Sequence, residues 1–163
     1  MALRKVRGDD DELLRKSSRE VKAISASTLA LLDDLAETMY AYEGVGLAAP
    51  QVGVLRQVAV VDIREENGGK GLIELINPEI LKQRGQQEHT EACLSVPGRS
   101  GRVMRPTYVK VRALNRAGET VVIEGKDLLA VAICHEIDHL HGVLYTDLAI
   151  SMMRDEENED TES

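Results

Sequence analysis

Apolar positions recur with a helical period early in the chain: Leu29, Leu32, Leu35 with Ala36, and Met39 fall on one face. Ser25 or Ser27 offers an N-cap ahead of them and Gly44 a stop, so the pattern predicts a helix through about Tyr42. A short helical turn is expected over 9–16. The apolar run at 54–63 reads as a strand, ENGGKG (66–71) as a turn or hairpin loop, and 72–76 as a second strand ended by Asn77-Pro78. YVKVRAL (108–114) alternates, with Val109 and Val111 on one face. NRAG (115–118) turns the chain into a partner strand, ETVVIEG.

Then the period changes. KDLLAVAICHEIDHLHG is almost continuously apolar for more than ten residues, with Asp127 placed to start a helix and Gly142 to end it. A helix apolar nearly all round belongs in the middle of a domain. RDEENEDTES (154–163) has no apolar residue and cannot bury a surface, so it is expected to be disordered. The expected architecture is α+β: mixed or antiparallel sheets packed around a central buried helix carrying HEIDH, with an N-terminal helix before them. One catalytic domain over 1–150 would be followed by an acidic tail over 151–163.

Composition sharpens this picture at four points. With no Phe, no Trp and four Tyr in 163 residues, the core must be aliphatic. The net charge of -8, without a run of Lys and Arg, argues against stable nucleic-acid binding through the phosphate backbone. No apolar run approaches the roughly 20 residues that span a bilayer, and the N-terminus lacks an apolar signal core, so a cytoplasmic protein is expected. Two cysteines, Cys93 and Cys134, do not make a disulfide framework; in a reducing compartment a thiolate remains available to a metal.

Polar groups inside an apolar helix need partners. His135 and His139 stand at i and i+4, so their rings project from one face one turn apart and can grip a single ion. Glu136, beside the first histidine, can reach the ion's water instead. This is the H-E-x-x-H arrangement of two ligands and a general base. A catalytic site wants a third protein ligand and one open position. The acids beyond Asp147 all lie in the polar tail, a poor place for a rigid ligand. Upstream, Cys93 in EACLSVPG, a small, loop-like stretch ending in Pro-Gly, would complete a Cys-His-His set, although alone it would read as a buried core thiol. GVGLAAPQVG (44–53) supplies two glycines that let a backbone come close to a ligand, and the carboxamide of Gln51; taken alone it is an ordinary helix-to-strand connection.

GVGLAAPQ, EACLS and HEIDH, in that order and with their spacing, resemble the three signature motifs of peptide deformylases, over about residues 10–148. The second motif departs from the family, which has glycine where Ala92 stands; the added methyl leaves ligation possible and narrows the neighbouring groove. The resemblance implies that Cys93, His135 and His139 bind the metal and that Glu136 is the acid/base. It also implies that Gln51 and the backbone N–H of Leu94 form the oxyanion site, that Gly46 pairs with the substrate backbone, and that Val45, Leu128 and Val131 wall a pocket for a methionine side chain. Asp138 would pair with Arg105, and Glu91 would brace the loop carrying Cys93. The implied reaction removes the formyl group from N-formylmethionine on nascent polypeptides. The implied metal is Fe2+ in the cell, with Zn2+, Ni2+ or Co2+ in purified protein. Transient proximity to the ribosome follows from that substrate, although the acidic C-terminus lacks the basic helix with which some family members dock.

Two other readings stay open on the residues. A zinc endopeptidase would use the same helix with an acidic third ligand. A metal-stabilised binding module would need a closed shell, for which His89 is the nearby candidate. His141, on another helical face, and Cys134, pointing away from the rings, are expected bystanders.

Overall fold

The computed structural model describes residues 2–154. Its first long element is helix α1, Ala26–Ala41, opened by Ser25, whose side chain accepts from the Thr28 N–H while Thr28 reciprocates. Strands follow: β1 (Gly46–Ala48), β2 (Val58–Val61), β3 (Ile73–Arg84), β4 (Gln87–Cys93), β5 (Val96–Arg105), β6 (Tyr108–Leu114) and β7 (Thr120–Lys126). Helix α2 spans Leu128–Leu140, a four-residue helix α3 spans Tyr145–Leu148, and strand β8 spans Ser151–Arg154. The strands form two antiparallel sheets, ordered β1-β2-β3-β6-β7 and β4-β5-β8. The α+β expectation therefore holds.

Both faces of β2 are buried, and alternation along it separates the two helices. Val58 and Val60 pack with Leu31, Leu32, Leu35 and Met39 of α1, whereas Val61 packs with Leu129, Ile133 and Ile137 of α2. α2 is thus held between the five-stranded sheet and the smaller sheet, whose Cys93, Val96 and Val103 cluster with Tyr145. Burial of aliphatic side chains on both sides fixes the helix rigidly, which a metal site requires. α2 ends in a Schellman arrangement: Val143 N–H donates to Asp138 C=O and Gly142 N–H to His139 C=O, with Gly142 at φ 78.

Three local expectations are corrected, and one is refined. The second strand is not ended by Asn77-Pro78. Asn77 (φ 52) makes a bulge and clamps Val21 through both ends of its carboxamide, and β3 continues to Arg84. Asp127 does start α2, as expected, but through its carbonyl, which accepts from Val131, and without a side-chain cap. The stretch around EACLSVPG is a hairpin of two long strands, β4 and β5, not a loop. Residues 151–154, expected to open the tail, instead pair with Arg99–Arg102 as β8, and residues 155–163 lie outside the described residues. Among the described residues, no helix is long and apolar enough to cross a membrane.

Candidate metal centre and active-site cleft

α2 sets His135 and His139 on one face, with ring centroids 5.0 Å apart. Alternation along β4 turns His89, Glu91 and Cys93 toward the helix, and the β4–β5 turn brings the Cys93 sulfur to 3.3 Å from His139 Nε2. One donor atom from each of Cys93, His135 and His139 lies within 4.8 Å of the others, all in a buried setting. A soft thiolate and two imidazole nitrogens converging from a strand and a helix fit a tetrahedral transition-metal ion. His89 lines the same cavity but is not one of the converging donors.

The ring orientations are fixed from behind. His135 Nδ1 donates to Glu91 Oε1 at 2.7 Å, which leaves Nε2 for the ion. Glu91 also accepts two hydrogen bonds from Arg105, at 2.6 and 2.9 Å. Arg105 in turn donates to Asp138 at 2.6 Å, the pairing the resemblance implied. Burial alone would raise the Glu91 carboxyl, but the hydrogen bonds and charges of Arg105 and His135 hold it down to about 2. Glu91 is therefore ionised at neutral pH and keeps the His135 proton on Nδ1. Arg105 is 5% exposed and offsets two acids. Arg105→Met leaves both without a counter-charge and is expected to cost about 3–5 kcal/mol, measured as a lowered denaturant midpoint.

Glu136 points into the cleft beside the donor triad. Its Oε1 is sealed from solvent and has no hydrogen-bond partner among the described residues. Burial pushes this carboxyl up to about 7, and a cation in the triad would lower it again. Gly46, on edge strand β1, makes that position possible: a Cβ there would lie 2.8 Å from the Glu136 Cδ. Gln51, 1% exposed, accepts from the Ala48 N–H and donates from Nε2 to Ser95 Oγ at 3.0 Å, with Cys93 Sγ 3.4 Å away. Ser95, not singled out by its type, thus orients the Gln51 amide. Tyr145, equally unforeseen, stacks on the His135 ring at 6.0 Å. Its only sequence signal is a buried aromatic in an otherwise aliphatic core.

These residues open on a cavity of about 420 Å³, with Val45, Leu128 and Val131 among its walls and Leu94 at the hairpin tip on its rim. Ala92 is exposed on the same rim. Cys134, in contrast, sits in the core behind α2, where burial pushes its thiol up to about 11. His141 is exposed at the end of the helix.

The sequence profile described as polypeptide deformylase matches residues 3–155 of the chain. The chain belongs to this family. It is 57% identical over 159 residues to a peptide deformylase of Acetivibrio thermocellus, covering 98% of this chain and 91% of that one. Among solved structures it is similar to a peptide deformylase from Legionella pneumophila, with 44% identity and a TM-score of 0.85 over 90% of this chain and 86% of that chain. It is also similar to the deformylase of Ehrlichia chaffeensis in complex with actinonin, with 35% identity and a TM-score of 0.88 over 91% and 89% of the two chains. Deformylases are metal-dependent hydrolases, and Cys93, His135 and His139 form a group that could hold such an ion here. The endopeptidase reading is not favoured: the third converging donor is a thiol, not a carboxylate.

Proposed function

We propose that the cleft removes the N-formyl group from N-formylmethionyl peptides on nascent chains, releasing formate. The observation that carries this reading is the convergence of Cys93, His135 and His139 beside a carboxylate, Glu136, whose buried oxygen has no partner among the described residues.

In this reading Cys93, His135 and His139 would hold one divalent ion, which when bound would supply Lewis-acid chemistry that favours ionisation of a water near neutral pH. Glu136 accepts a proton from the attacking water as its oxygen bonds to the formyl carbon. Negative charge then grows on the formyl oxygen. The Gln51 amide and the Leu94 backbone N–H donate to it; a donor aimed at such charge is worth about 3–4 kcal/mol of barrier. Glu136 passes its proton to the amine nitrogen as the carbon–nitrogen bond breaks, so formate and a free N-terminus leave. Gly46, on the open edge of the five-stranded sheet, pairs with the substrate backbone. The methionine side chain lies against Val45, Leu128 and Val131.

Ferrous iron is the ion proposed for the cell, because a thiolate with two imidazoles accepts several divalent metals and availability decides among them. Zn2+, Ni2+ or Co2+ would replace it in protein purified in air. The substrate places the enzyme in the cytoplasm, in transient proximity to the ribosome, without a stable nucleic-acid contact or a membrane attachment. The test is formate release. Protein purified anaerobically, with its metal measured, should hydrolyse a formyl-Met peptide and leave its acetyl counterpart essentially untouched. Equal cleavage of both, or cleavage inside the peptide instead, would refute the reading.

A further inference from the structure

Arg64, just past the end of β2, adopts φ 76 and ψ 151, a region that only glycine occupies without strain. A turn alone would be better served by glycine, so the side chain must matter where it is. The backbone is pinned in this conformation: the Arg64 N–H donates to Asp62 Oδ1 at 2.9 Å, and the Arg64 carbonyl accepts from Gly69 at 2.8 Å. The guanidinium then reaches back toward the cleft. Nη2 donates to the Gly44 carbonyl at 3.1 Å and Nη1 to the Asp62 carbonyl at 2.6 Å. The group also lies 4.9 Å over the Tyr40 ring, whose hydroxyl donates to Asp62 Oδ2 at 2.6 Å.

What these bonds hold is the rim of the cleft. Gly44 follows Glu43, itself at φ 57, and precedes Val45 and Gly46. The Asp62 N–H donates to the Val45 carbonyl at 2.8 Å, so Gly44 and Val45 are both tied to the end of β2. On its other side Gly44 abuts Leu94: a Cβ there would lie 3.1 Å from Leu94 Cδ1. The rim is therefore seated between Arg64 and the hairpin tip that carries Leu94.

We infer that Arg64, with Asp62 and Tyr40 behind it, is a positioning residue that fixes the Gly44–Gly46 edge for pairing with the substrate backbone. The inference rests on the proposed deformylase reading. The Arg64 bonds act on Gly44 and, through Asp62, on Val45, whereas Gly46 is held beside Glu136 by its own pairing with Val61, so a shift of this rim weakens substrate alignment and the effect falls on KM. Arg64→Gly removes the guanidinium while permitting the same backbone angles. It is expected to raise KM for a formyl-Met peptide roughly tenfold, with kcat within about twofold and metal content unchanged. Arg64→Lys, which keeps a donor able to reach the Gly44 carbonyl, should recover part of the loss. KM at the wild-type value in Arg64→Gly would overturn the inference, as would a fall in kcat accompanied by loss of metal. If Arg64→Gly does not accumulate folded, Tyr40→Phe carries the same test, because it deletes only the hydroxyl that orients Asp62. A raised KM with kcat kept supports the role, and an unchanged KM sinks it. Wild-type enzyme in the same assay separates the two ideas: no formate release there fails the functional reading, not this one.

Discussion

Glu136→Gln is expected to keep its full complement of metal, keep its fold and lose about 10⁴-fold in kcat on a formyl-Met peptide. The magnitude is the upper end of what one acid/base group supplies, because Glu136 is assigned two transfers, from the water and to the amine. Glutamine has nearly the same shape, and the space that Gly46 leaves open accepts it equally well. The fold should not suffer. Glu136 Oε1 makes no hydrogen bond among the described residues, and burial already opposes charge at this position, so a neutral amide breaks nothing and relieves that opposition. Metal should stay, since Cys93, His135 and His139 are intact and Glu91 still fixes the His135 ring. The measurements are single-turnover formate release, metal stoichiometry and a melting curve on the same preparation. Turnover near wild type with bound metal would remove Glu136 from the mechanism and leave its burial without a purpose.

The helix that carries this chemistry was legible because nothing else explains so long an apolar run, and i, i+4 spacing converts directly into ring geometry. The pair β6 and β7 was legible for a similar reason: Val109 and Val111 alternate ahead of an Asn-Arg-Ala-Gly turn, and a β-branched run, Thr120–Ile123, follows it. The hairpin of β4 and β5 was not. EHTEACLSVPGRSGRVMR is built from small and charged residues with weak strand preference, and its extended form comes from mutual pairing and from ion pairs such as Arg105–Glu91. Missing that hairpin had a specific consequence. If 87–93 is a strand, residues two apart share a face, and Glu91 must point the same way as Cys93. The acceptor for His135 Nδ1 then follows by counting. Read as a loop, the same stretch gives Glu91 only a vague bracing role. Ser95 was hidden for the same reason, since its task depends on the Leu94–Ser95 turn reversing the chain beside Gln51.

Other misses arise where one residue does two jobs. Asn-Pro usually ends a strand, yet Asn77 tolerates φ 52 and uses its side chain to satisfy both the N–H and the carbonyl of Val21, so β3 absorbs the pair as a bulge. Arg64 looks like one more charged surface residue in IREENGG; only its backbone angles and its reach to Gly44 distinguish it. Such positions break a local rule, and the reason lies in contacts distant in sequence.

Cys93→Ala should lose the ion, and with it all measurable formate release. Among the described residues the sulfur is the single converging donor from outside α2, and it ties the small sheet to the helix at 3.3 Å from His139 Nε2. Without it, two imidazoles one turn apart remain, with no third protein donor converging on them among the described residues. Affinity should fall by more than the roughly 10- to 100-fold that follows loss of an outer-shell partner alone. The structural cost is small by comparison. Cys93 packs among Val96, Val103 and Tyr145, and alanine vacates only the volume of one sulfur there. A melting curve measured with chelator present in both proteins isolates that packing term, while metal analysis and formate release measure the ligand term. A chain whose third ligand was a distant carboxylate would behave oppositely, keeping its ion and its activity after the substitution. Full metal occupancy in Cys93→Ala would therefore dissociate the sulfur from the site. The 3.3 Å approach would then be ordinary core packing, and the two histidines would need a different third partner.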